Sequence, residues 1–381
     1  MKAGWRILAA VLAAALGFSY ADVAPHDPVS RCLVIGYDDF AVMPDTAPCS
    51  ANNTEIMTAL FLDFVPDMRT VVRRVNGPGT ADALETLVRD TFSDARPGDT
   101  SYLYLSTHGV TWEEDGETRT ALMISDGTNE ETLEPARLRA VLDGIPGKKV
   151  LILDACHSGA VLDEFAGTDY LVLASCAAAE DSYFWFADNA EESGTGYFTT
   201  ALESALRASH PDQIDPDGNG GISLGEIRDR IAALYGASQV QSSPENREQV
   251  IFRLPEERVT RERILGLTFD PVIREEDSLI LPFHFEVAEE TRLEYRIVPK
   301  TDGRWDFHHF ATMPDRERTG TVRGLLSPGS KDRKIRISAE NLGAEGEALL
   351  QIISLRGLHG QIPVLEGTWV ISEQWSAVSD Q

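Results

Sequence analysis

A histidine and a cysteine each stand two residues after a short apolar segment of the sequence. His108 follows residues 101–106, and Cys156 follows residues 149–154. Short apolar runs are typical of buried strands in a parallel sheet, and the carboxyl ends of neighbouring parallel strands lie at one edge of it. A thiol attacks a carbonyl carbon only as the thiolate, and a nearby imidazole can take up its proton. The sequence therefore predicts Cys156 as a nucleophile and His108 as its base.

The residue after each candidate also bears on the chemistry. Gly109 follows His108, and a glycine there lets the chain turn sharply and approach a substrate closely. Its N–H and that of Cys156 are candidates for an oxyanion hole. His157 is a competing base, but neighbouring residues of an extended chain point to opposite sides, which favours a structural role. Each motif alone is also typical of a turn or a core, so the combination carries the prediction.

Several further motifs stand around these two residues in a fixed order. The segments are Cys49 with Asn52-Asn53, then 97–99, 104–109, 154–159, 173–176 with 180–182, and 196–202. Together they resemble the caspase–metacaspase superfamily of cysteine peptidases, over residues 31–235, with Thr107 in place of the family's usual glycine. The resemblance implies a caspase-like αβα sandwich, a His108–Cys156 dyad, polypeptide substrates and no organic cofactor.

The resemblance also implies a substrate preference. Asp154 stands two residues before Cys156, where the aspartate of metacaspases faces the pocket for a basic residue, and Asp181 is a second contributor. A carboxylate there pairs with arginine or lysine and repels aspartate, so we expect cleavage after Arg or Lys. The alternative is cleavage after asparagine, because residues 180–183 resemble legumain-type enzymes. Between Lys149 and Arg207 the sequence has no Lys or Arg, which predicts a single-chain enzyme that does not cut itself there.

A second motif, separate from the first, spans residues 215–226. It matches the twelve-residue EF-hand loop at every position, with a glycine at Gly220 for the sharp turn. The alternative is an acidic, glycine-rich turn in which Glu226 serves the start of a helix. The motif predicts Ca²⁺ binding, and its candidate ligands are Asp215, Asp217, Asn219, Gly221, Ser223 and Glu226.

The N-terminus and the overall charge bear on where the protein acts. Residues 1–21 carry a basic start, an apolar run and small residues at the end, which predicts a cleaved signal peptide; an uncleaved anchor is the alternative. No later segment has the length of a membrane span, so we expect a secreted or periplasmic protein. The formal net charge of -27 argues against nucleic-acid binding and favours basic partners and divalent cations.

The four cysteines constrain the redox state. If Cys156 stays a free thiol, one of Cys32, Cys49 and Cys176 is also unpaired or joined to another chain. Cys32 and Cys49 are the only pair close in sequence, and the sequence leaves open whether they form a disulfide. There is no CxxC pair and no HExxH motif, so nothing indicates a zinc site.

Hydrophobic periodicity divides the chain into two parts. Up to about residue 254 strands alternate with helices, which indicates an α/β fold with a mostly parallel sheet. After that point short segments alternate with period two between turn residues, which predicts an all-β sandwich. We therefore predict a peptidase domain over 22–255 and a β-sandwich domain over 256–381. The predicted helices are 53–64, 80–94, 134–142, 198–208 and 226–234, and the predicted peptidase-domain strands are 32–37, 70–75, 101–106, 149–154 and 170–174.

Two other classes of function remain open at this level. The chain could be a non-catalytic, calcium-binding secreted interaction protein with a caspase-like fold, but such a protein is expected to have lost its nucleophile, base or glycine. It could also be a different hydrolase that uses the same thiol, against which the neighbouring peptidase motifs argue. The sequence does not define the oligomeric state or the role of the C-terminal part.

Overall fold

The computed structural model describes residues 27–46, 48–166, 170–186, 194–208, 211–244, 248–256, 263–307, 319–343, 345–356 and 363–372. The predicted signal peptide lies outside these residues. The helices are α1 (Cys49–Phe64), α2 (Ala81–Thr91), α3 (Pro135–Asp143), α4 (Leu162–Phe165), α5 (Tyr197–Arg207) and α6 (Leu224–Tyr235), with 3₁₀ turns at Ser158–Val161, Pro211–Gln213 and Ala339–Leu342.

The strands fall into a group before residue 254 and a group after it. The first group is β1 (Ser30–Gly36), β2 (Met68–Val75), β3 (Thr100–Ser106), β4 (Gly109–Glu114), β5 (Glu117–Ser125), β6 (Glu130–Leu133), β7 (Lys148–Asp154), β8 (Tyr170–Ala174), β9 (Phe184–Phe186), β10 (Gly194–Gly196), β11 (Gly221–Ser223), β12 (Gln241–Ser243) and β13 (Val250–Arg253). The second is β14 (Ile264–Phe269), β15 (Ile273–Glu275), β16 (Ser278–Val287), β17 (Thr291–Thr301), β18 (Arg304–Trp305), β19 (Thr319–Leu326), β20 (Gly329–Ser338), β21 (Glu347–Arg356) and β22 (Val364–Ser372).

A six-stranded sheet organises the first part, in the order β12-β8-β7-β3-β1-β2. Neighbours from β8 to β2 run parallel, and only β12 at the edge is antiparallel. Successive side chains of a strand point to opposite faces, so Val34 joins a core beneath α1, α5 and α6, while Leu33 joins a core beneath α2, α3 and α4. The chain thus forms the predicted αβα sandwich.

Most predicted helix boundaries agree with the structure, and their caps explain why. Thr80 caps α2 through its side chain, which accepts a hydrogen bond from Ala83 N (3.4 Å), and Pro135 opens α3. Helix α1, however, begins at Cys49 rather than at residue 53. Its first N–H groups are capped from a distance by the Asp38 carboxylate, which accepts from Ser50 N and from Ala51 N (2.7 Å each). A cap of this kind leaves no local sequence signal.

A three-stranded antiparallel sheet, β4-β5-β6, directly follows His108 and was not predicted. Asp115 and Gly116 form the turn between β4 and β5, and both have positive φ (54° and 80°). An Asp-Gly pair is a strong hairpin signal, but the largely polar flanking residues do not show the alternation that would predict strands on either side of it. This small sheet carries Glu130, which matters for the histidine.

The second part consists of antiparallel strands, as predicted. One sheet has the order β14-β16-β15 with β20 paired to β16, and the other has β18-β17-β21-β22 with β19 paired to β17. Buried residues of both sheets, such as Phe283 and Ile352, form a shared core. Other residues of this part, including Val298 and Leu349, belong to the core beneath α5 and α6, so the two parts pack together through apolar side chains.

The structure also bears on the cysteines and on membrane-spanning helices. All four cysteines are free thiols, so Cys32 and Cys49 are not bridged; both are fully buried. Among the described residues, no helix is both long and apolar enough to cross a membrane.

Candidate active site

The ends of β3 and β7 bring the predicted dyad residues to one edge of the sheet. The two strands are parallel and in register, with Ser106 opposite Asp154. The pairing continues one residue further, where Thr107 N donates to Asp154 O (3.2 Å). The segments that carry His108 and Cys156 therefore leave the sheet side by side. We call this region, with His108, Gly109, Asp154 and Cys156, the catalytic edge.

Gly109 lies in close contact with the nucleophile segment. A Cβ atom at this position would stand 1.7 Å from the carbonyl oxygen of Cys156 and 2.7 Å from its carbonyl carbon. No side chain fits into that space without displacing the backbone. The glycine after the histidine is therefore required by packing, and it lets the two segments approach each other.

The imidazole of His108 is half-buried and oriented by a backbone group. Its Nε2 lies 2.9 Å from Pro44 O, and its ring packs against Phe40 with centroids 4.8 Å apart. A carbonyl oxygen can only accept, so Nε2 carries the hydrogen in this pair. In the neutral ring the lone pair is then on Nδ1. This is the tautomer that a base acting through Nδ1 needs.

The loop that contains Pro44 is itself fixed by two carboxylates. Glu130 of β6 accepts from Val42 N (2.7 Å) and from Met43 N (3.2 Å). Asp38 accepts from Thr46 Oγ1 (2.8 Å) at the other end of the loop. The orientation of the histidine thus depends on groups from two separate segments, residues 38–46 and strand β6.

Cys156 is half-buried, and its thiol faces a carbonyl group. The Sγ atom donates to Ser182 O over 3.6 Å. Burial, supported by the negative charge of Asp181, raises the pKa of the Cys156 thiol to about 12, although the contact with Ser182 opposes the rise. Very little thiolate then forms at neutral pH without help, so the thiol needs a base at the moment of attack.

Asp154 lies beneath the catalytic edge and is almost completely buried. Its carboxylate accepts from Thr199 Oγ1 (2.7 Å), Ser182 Oγ (2.8 Å) and Asn53 Nδ2 (3.3 Å). Burial raises its pKa, and the hydrogen bonds from Thr199 and Ser182 oppose that rise. All three of these partners are neutral, which leaves the carboxylate without a counter-charge from them.

Asp181 and His157 lie on the same side of the nucleophile. The Asp181 side chain is 55% exposed, and its Oδ1 lies 3.7 Å from His157 Nε2. His157 Nδ1 lies 3.1 Å from Ala178 O. His157 has a positive φ (58°) in the turn after Cys156. Its ring is thus held by the 178–181 loop, in agreement with a structural role.

Three of the six predicted calcium ligands come together, in a separate place. One carboxylate oxygen from each of Asp215, Asp217 and Glu226 lies within 4.8 Å of the others. Asp215 is buried and accepts from Asn219 N (3.1 Å) and Gly220 N (2.9 Å). Gly220 has a φ of +75°, as the predicted sharp turn requires.

The last predicted ligand of this loop, Glu226, also caps the start of α6. Glu226 also forms a capping box, in which its Oε2 accepts from Ser223 N (2.8 Å) and Ser223 Oγ (2.7 Å). Its Oε1 is not part of that box. The hard oxygens fit a Ca²⁺ site, and the alternative role of Glu226 at the helix start is present too.

Several groups that shape the site were not assigned from sequence. The Pro44 carbonyl has no signature, because any residue offers a backbone oxygen. Asn53, Ser182 and Thr199 belong to the motifs that resemble the family, and the structure shows that each donates to Asp154. Their convergence on one carboxylate could not be read from spacings of up to 146 residues.

Comparisons with known proteins identify the family of this chain. The family model of the caspase domain matches residues 29–234. No curated protein matches the sequence. Among solved structures, a protein from Geobacter sulfurreducens has 14% sequence identity and a TM-score of 0.41, and the match covers 61% of this chain and 98% of that one. Since the caspase-domain match spans more than half of the chain and includes both strand ends of the catalytic edge, the protein belongs to the caspase-domain family of cysteine peptidases.

Proposed function

We propose that the protein is an endopeptidase that uses Cys156 and His108 to hydrolyse polypeptides after Arg or Lys. The observation that carries the proposal is the catalytic edge, where an oriented imidazole and a half-buried thiol leave neighbouring parallel strands. Caspase-domain membership supports a cysteine peptidase with polypeptide substrates. The roles of individual residues and the substrate preference are our own inferences.

The chemistry divides between the two side chains. His108 takes the thiol proton through Nδ1 while Pro44 O holds Nε2–H, so the ring keeps its orientation as it becomes charged. The thiolate of Cys156 attacks the scissile carbonyl, and the imidazolium then protonates the leaving amine. Water hydrolyses the acyl-enzyme with His108 acting again as base. The raised pKa of Cys156 supports this order, in which thiolate forms only beside a base.

Gly109 is our candidate for an oxyanion donor together with Cys156. Met123 N donates to His108 O (2.9 Å), which makes the next pair, Gly109 with Leu122, a non-hydrogen-bonded pair of the antiparallel ladder. The Gly109 N–H then points away from β5. This supports a free donor next to the Cys156 backbone, where charge develops on the substrate oxygen.

Asp154 supports the preference for a basic residue. Its carboxylate lies beneath the nucleophile and has neutral hydrogen-bond partners, so an incoming guanidinium or ammonium would supply the missing positive charge. Gly196 forms its cover, since a Cβ there would stand 2.2 Å from Asp154 Oδ2. Entry of a long basic side chain therefore requires the segment around Gly196 to move. Asp181, exposed at the rim, would attract the same charge.

The test is hydrolysis of fluorogenic peptides that end in Arg, Lys, Asn or Asp, by wild type and by the Asp154→Asn and Asp163→Asn proteins. Asp163 is an exposed carboxylate of α4 and serves as the matched control. We expect cleavage after Arg and Lys that falls at least a hundredfold only in Asp154→Asn, as for loss of a buried charge partner. Cleavage after Asn by wild type would retain the dyad and replace our specificity with the legumain-like one. A folded protein silent on every peptide would favour a non-catalytic role.

We also propose that residues 215–226 bind Ca²⁺ and influence the catalytic edge through α6. Glu226 lies in the first turn of α6, and Tyr235 lies at its last residue. The hydroxyl of Tyr235 accepts from Tyr183 N (3.4 Å), and Ser238 Oγ donates to Asp181 O (2.6 Å). These contacts flank Ser182, whose carbonyl faces Cys156. Ca²⁺, when bound, would supply positive charge that fixes the start of this helix.

Export and chain integrity complete the proposal. We propose that the protein is secreted or periplasmic and that its mature chain begins at Asp22. The mature enzyme remains one chain, because residues 150–206 lack Lys and Arg. Intact-mass measurement of the exported protein tests both points. A product cut between residues 184 and 196 would contradict either the single-chain form or the basic specificity.

A further inference from the structure

A cavity of about 660 Å³ lies between the peptidase part and the C-terminal β part. Three segments line it. They are the loop 179–183, the exposed side of α6 with residues 236–241, and residues 303–305 of the β17–β18 hairpin. The last wall is foreign to the peptidase part. We call this space the hairpin pocket.

The hairpin pocket adjoins the nucleophile. Asp181 and Tyr183 line it, and they flank Ser182 in the chain. The carbonyl of Ser182 accepts from the Sγ of Cys156 (3.6 Å). The pocket therefore begins at the residues on either side of the carbonyl that faces Cys156, which places it next to the site where a scissile bond would be attacked.

The hairpin wall is firmly attached to the peptidase part. Phe307, just after β18, is buried, and its ring packs against those of Tyr183 and Tyr197 (5.4 Å between centroids in each case). Deeper in the same interface, the Arg296 guanidinium stacks on Trp185 at 3.6 Å from the ring centroid. The hairpin is thus held against the loop 179–183 by the tilted and edge-to-face packing of aromatic rings, and its position is part of the folded core.

The lining of the pocket suits a long side chain. Small residues, Ala232, Gly236 and Ala237, leave room at one wall, while the rings of Tyr183 and Trp305 offer flat apolar surface. Rings of this kind bind methylene groups and the charged ends of Lys and Arg. The Lys300 ammonium lies 5.4 Å from the centroid of the Trp305 ring, and its charge is paired with Glu347 at 2.7 Å.

The charges of the pocket favour a cationic end. Arg228 is paired with Asp229, and Glu180 Oε2 accepts from Gln239 N (2.8 Å). The Asp181 carboxylate remains more than half exposed. Arg304, exposed on the hairpin, has no side-chain partner within the described residues, and it works against a cation. The lining groups sum to one net negative charge, in a protein with a net charge of -27.

We propose that the hairpin pocket is a second substrate subsite, which receives a long, preferentially cationic side chain near the cleaved residue. The inference rests on the proposed peptidase function and extends it, because it makes the C-terminal β part a direct participant in substrate recognition. Substrates with a second basic residue shortly before the cleaved one then bind best.

The experiment compares a blocked single-residue arginine amide with peptides that carry Lys, Ala or Glu one, two or three residues before the cleaved Arg. We expect one position at which Lys raises kcat/KM. Trp305→Ala should reduce that advantage about fivefold, as for loss of one cation–π contact, and leave the arginine amide unchanged. Arg304→Glu should increase the advantage of Lys. The control for Trp305→Ala is Trp369→Ala, which removes a half-buried tryptophan of β22. The control for Arg304→Glu is Lys334→Glu, which makes the same charge change at an exposed position of β20.

The outcomes distinguish failure of the proposed subsite from failure of the proposed peptidase function. Hydrolysis of the arginine amide with no advantage for Lys at any position, or a preference for Glu, would overturn the subsite. An equal loss in Trp369→Ala would attribute the effect to stability of the β part and also overturn it. If no peptide is cleaved, binding of the fluorescein-labelled peptides to Cys156→Ala decides: tighter binding of the Lys peptide that requires Trp305 keeps the subsite while the peptidase function fails.

Discussion

The catalytic edge and the loop 215–226 gather their reactive groups in opposite ways. The catalytic edge joins side chains from segments far apart in sequence, through the register of β3 with β7 and the loop at Pro44. The calcium loop takes all its candidate ligands from twelve consecutive residues, and most of their contacts are with one another. One site depends on the whole fold and the other on local geometry.

The difference appears in burial and charge. Asp154 is almost completely buried and Cys156 is half-buried, and burial raises the pKa of both side chains. Asp217 is exposed, and Asn219 Nδ2 is its side-chain neighbour at 2.6 Å. A change at the catalytic edge should therefore alter chemistry strongly and respond to distant groups. A change in the loop should alter cation binding and leave the sheet intact.

The largest effect is expected from His108→Ala. Loss of the base should lower kcat/KM about a hundredfold to ten-thousandfold, because the Cys156 thiol has a pKa near 12 in this environment. His157→Ala, one residue from the nucleophile, is the matched control and should lose far less. Peptide hydrolysis by the two proteins, with their melting temperatures, tests the assignment. A larger loss in His157→Ala would exchange the roles of the two histidines.

Gly109→Ala should break the catalytic edge by sterics alone. The new Cβ would overlap the Cys156 carbonyl, so the two segments must separate, at a cost of about 1–3 kcal/mol of stability. A shift of about 1 Å in the nucleophile is expected to lower kcat about a hundredfold. Gly144→Ala is the control, since its Cβ would meet Val141 O at an ordinary 3.6 Å.

Activity measured beside chemical denaturation separates the two consequences of Gly109→Ala. Activity near that of wild type would show that the segments can part without harm, and that Gly109 is not needed for close approach.

The contrast also explains what the sequence predicts well. The strands that end before His108 and Cys156 are short apolar runs. Such runs are the usual sequence pattern of a strand buried in a parallel sheet, so both strands can be predicted. The calcium loop is a local motif, so its ligand positions follow from spacing alone. The oxygens of Asp215, Asp217 and Glu226 do lie together, whereas occupancy by Ca²⁺ stays a prediction.

Groups brought in by tertiary structure escaped prediction. Glu130 orients the histidine only through the backbone of the Pro44 loop, 86 residues earlier in the chain. Asp38 caps α1 from outside the helix, and the helix therefore begins at Cys49 and not at the predicted residue 53. Trp305 reaches the neighbourhood of Cys156 because apolar side chains of the two parts share a core, and no periodicity within either part encodes that contact.

The calcium loop should respond to a change that the catalytic edge ignores. In Asp217→Asn one ligand charge is lost at an exposed position, so stability without cation should remain that of wild type. In wild type, Ca²⁺ at about a hundred times its dissociation constant should stabilise the fold by about 2.7 kcal/mol, and the variant should lose most of this. Asp212→Asn, just outside the loop, is the control. Calorimetry with Ca²⁺ and with chelator measures the effect, and equal melting temperatures for wild type in both would remove calcium from the proposal.

The smallest effect tests whether the catalytic edge responds to charge across a loop. The carboxylate of Asp181 helps to raise the pKa of the Cys156 thiol, after burial itself. Asp181→Asn removes that charge, so the pKa should fall and the thiolate fraction at pH 8 should increase. We expect Cys156 to be alkylated by iodoacetamide about threefold to tenfold faster, which corresponds to a fall of about 0.5–1 unit in the pKa of its thiol.

Mass spectrometry distinguishes Cys156 from Cys32, Cys49 and Cys176, which are fully buried. Asp163→Asn again provides the control. Unchanged alkylation at every pH would mean that burial alone raises the pKa of the Cys156 thiol. The 179–183 loop would then affect substrate binding without changing that pKa.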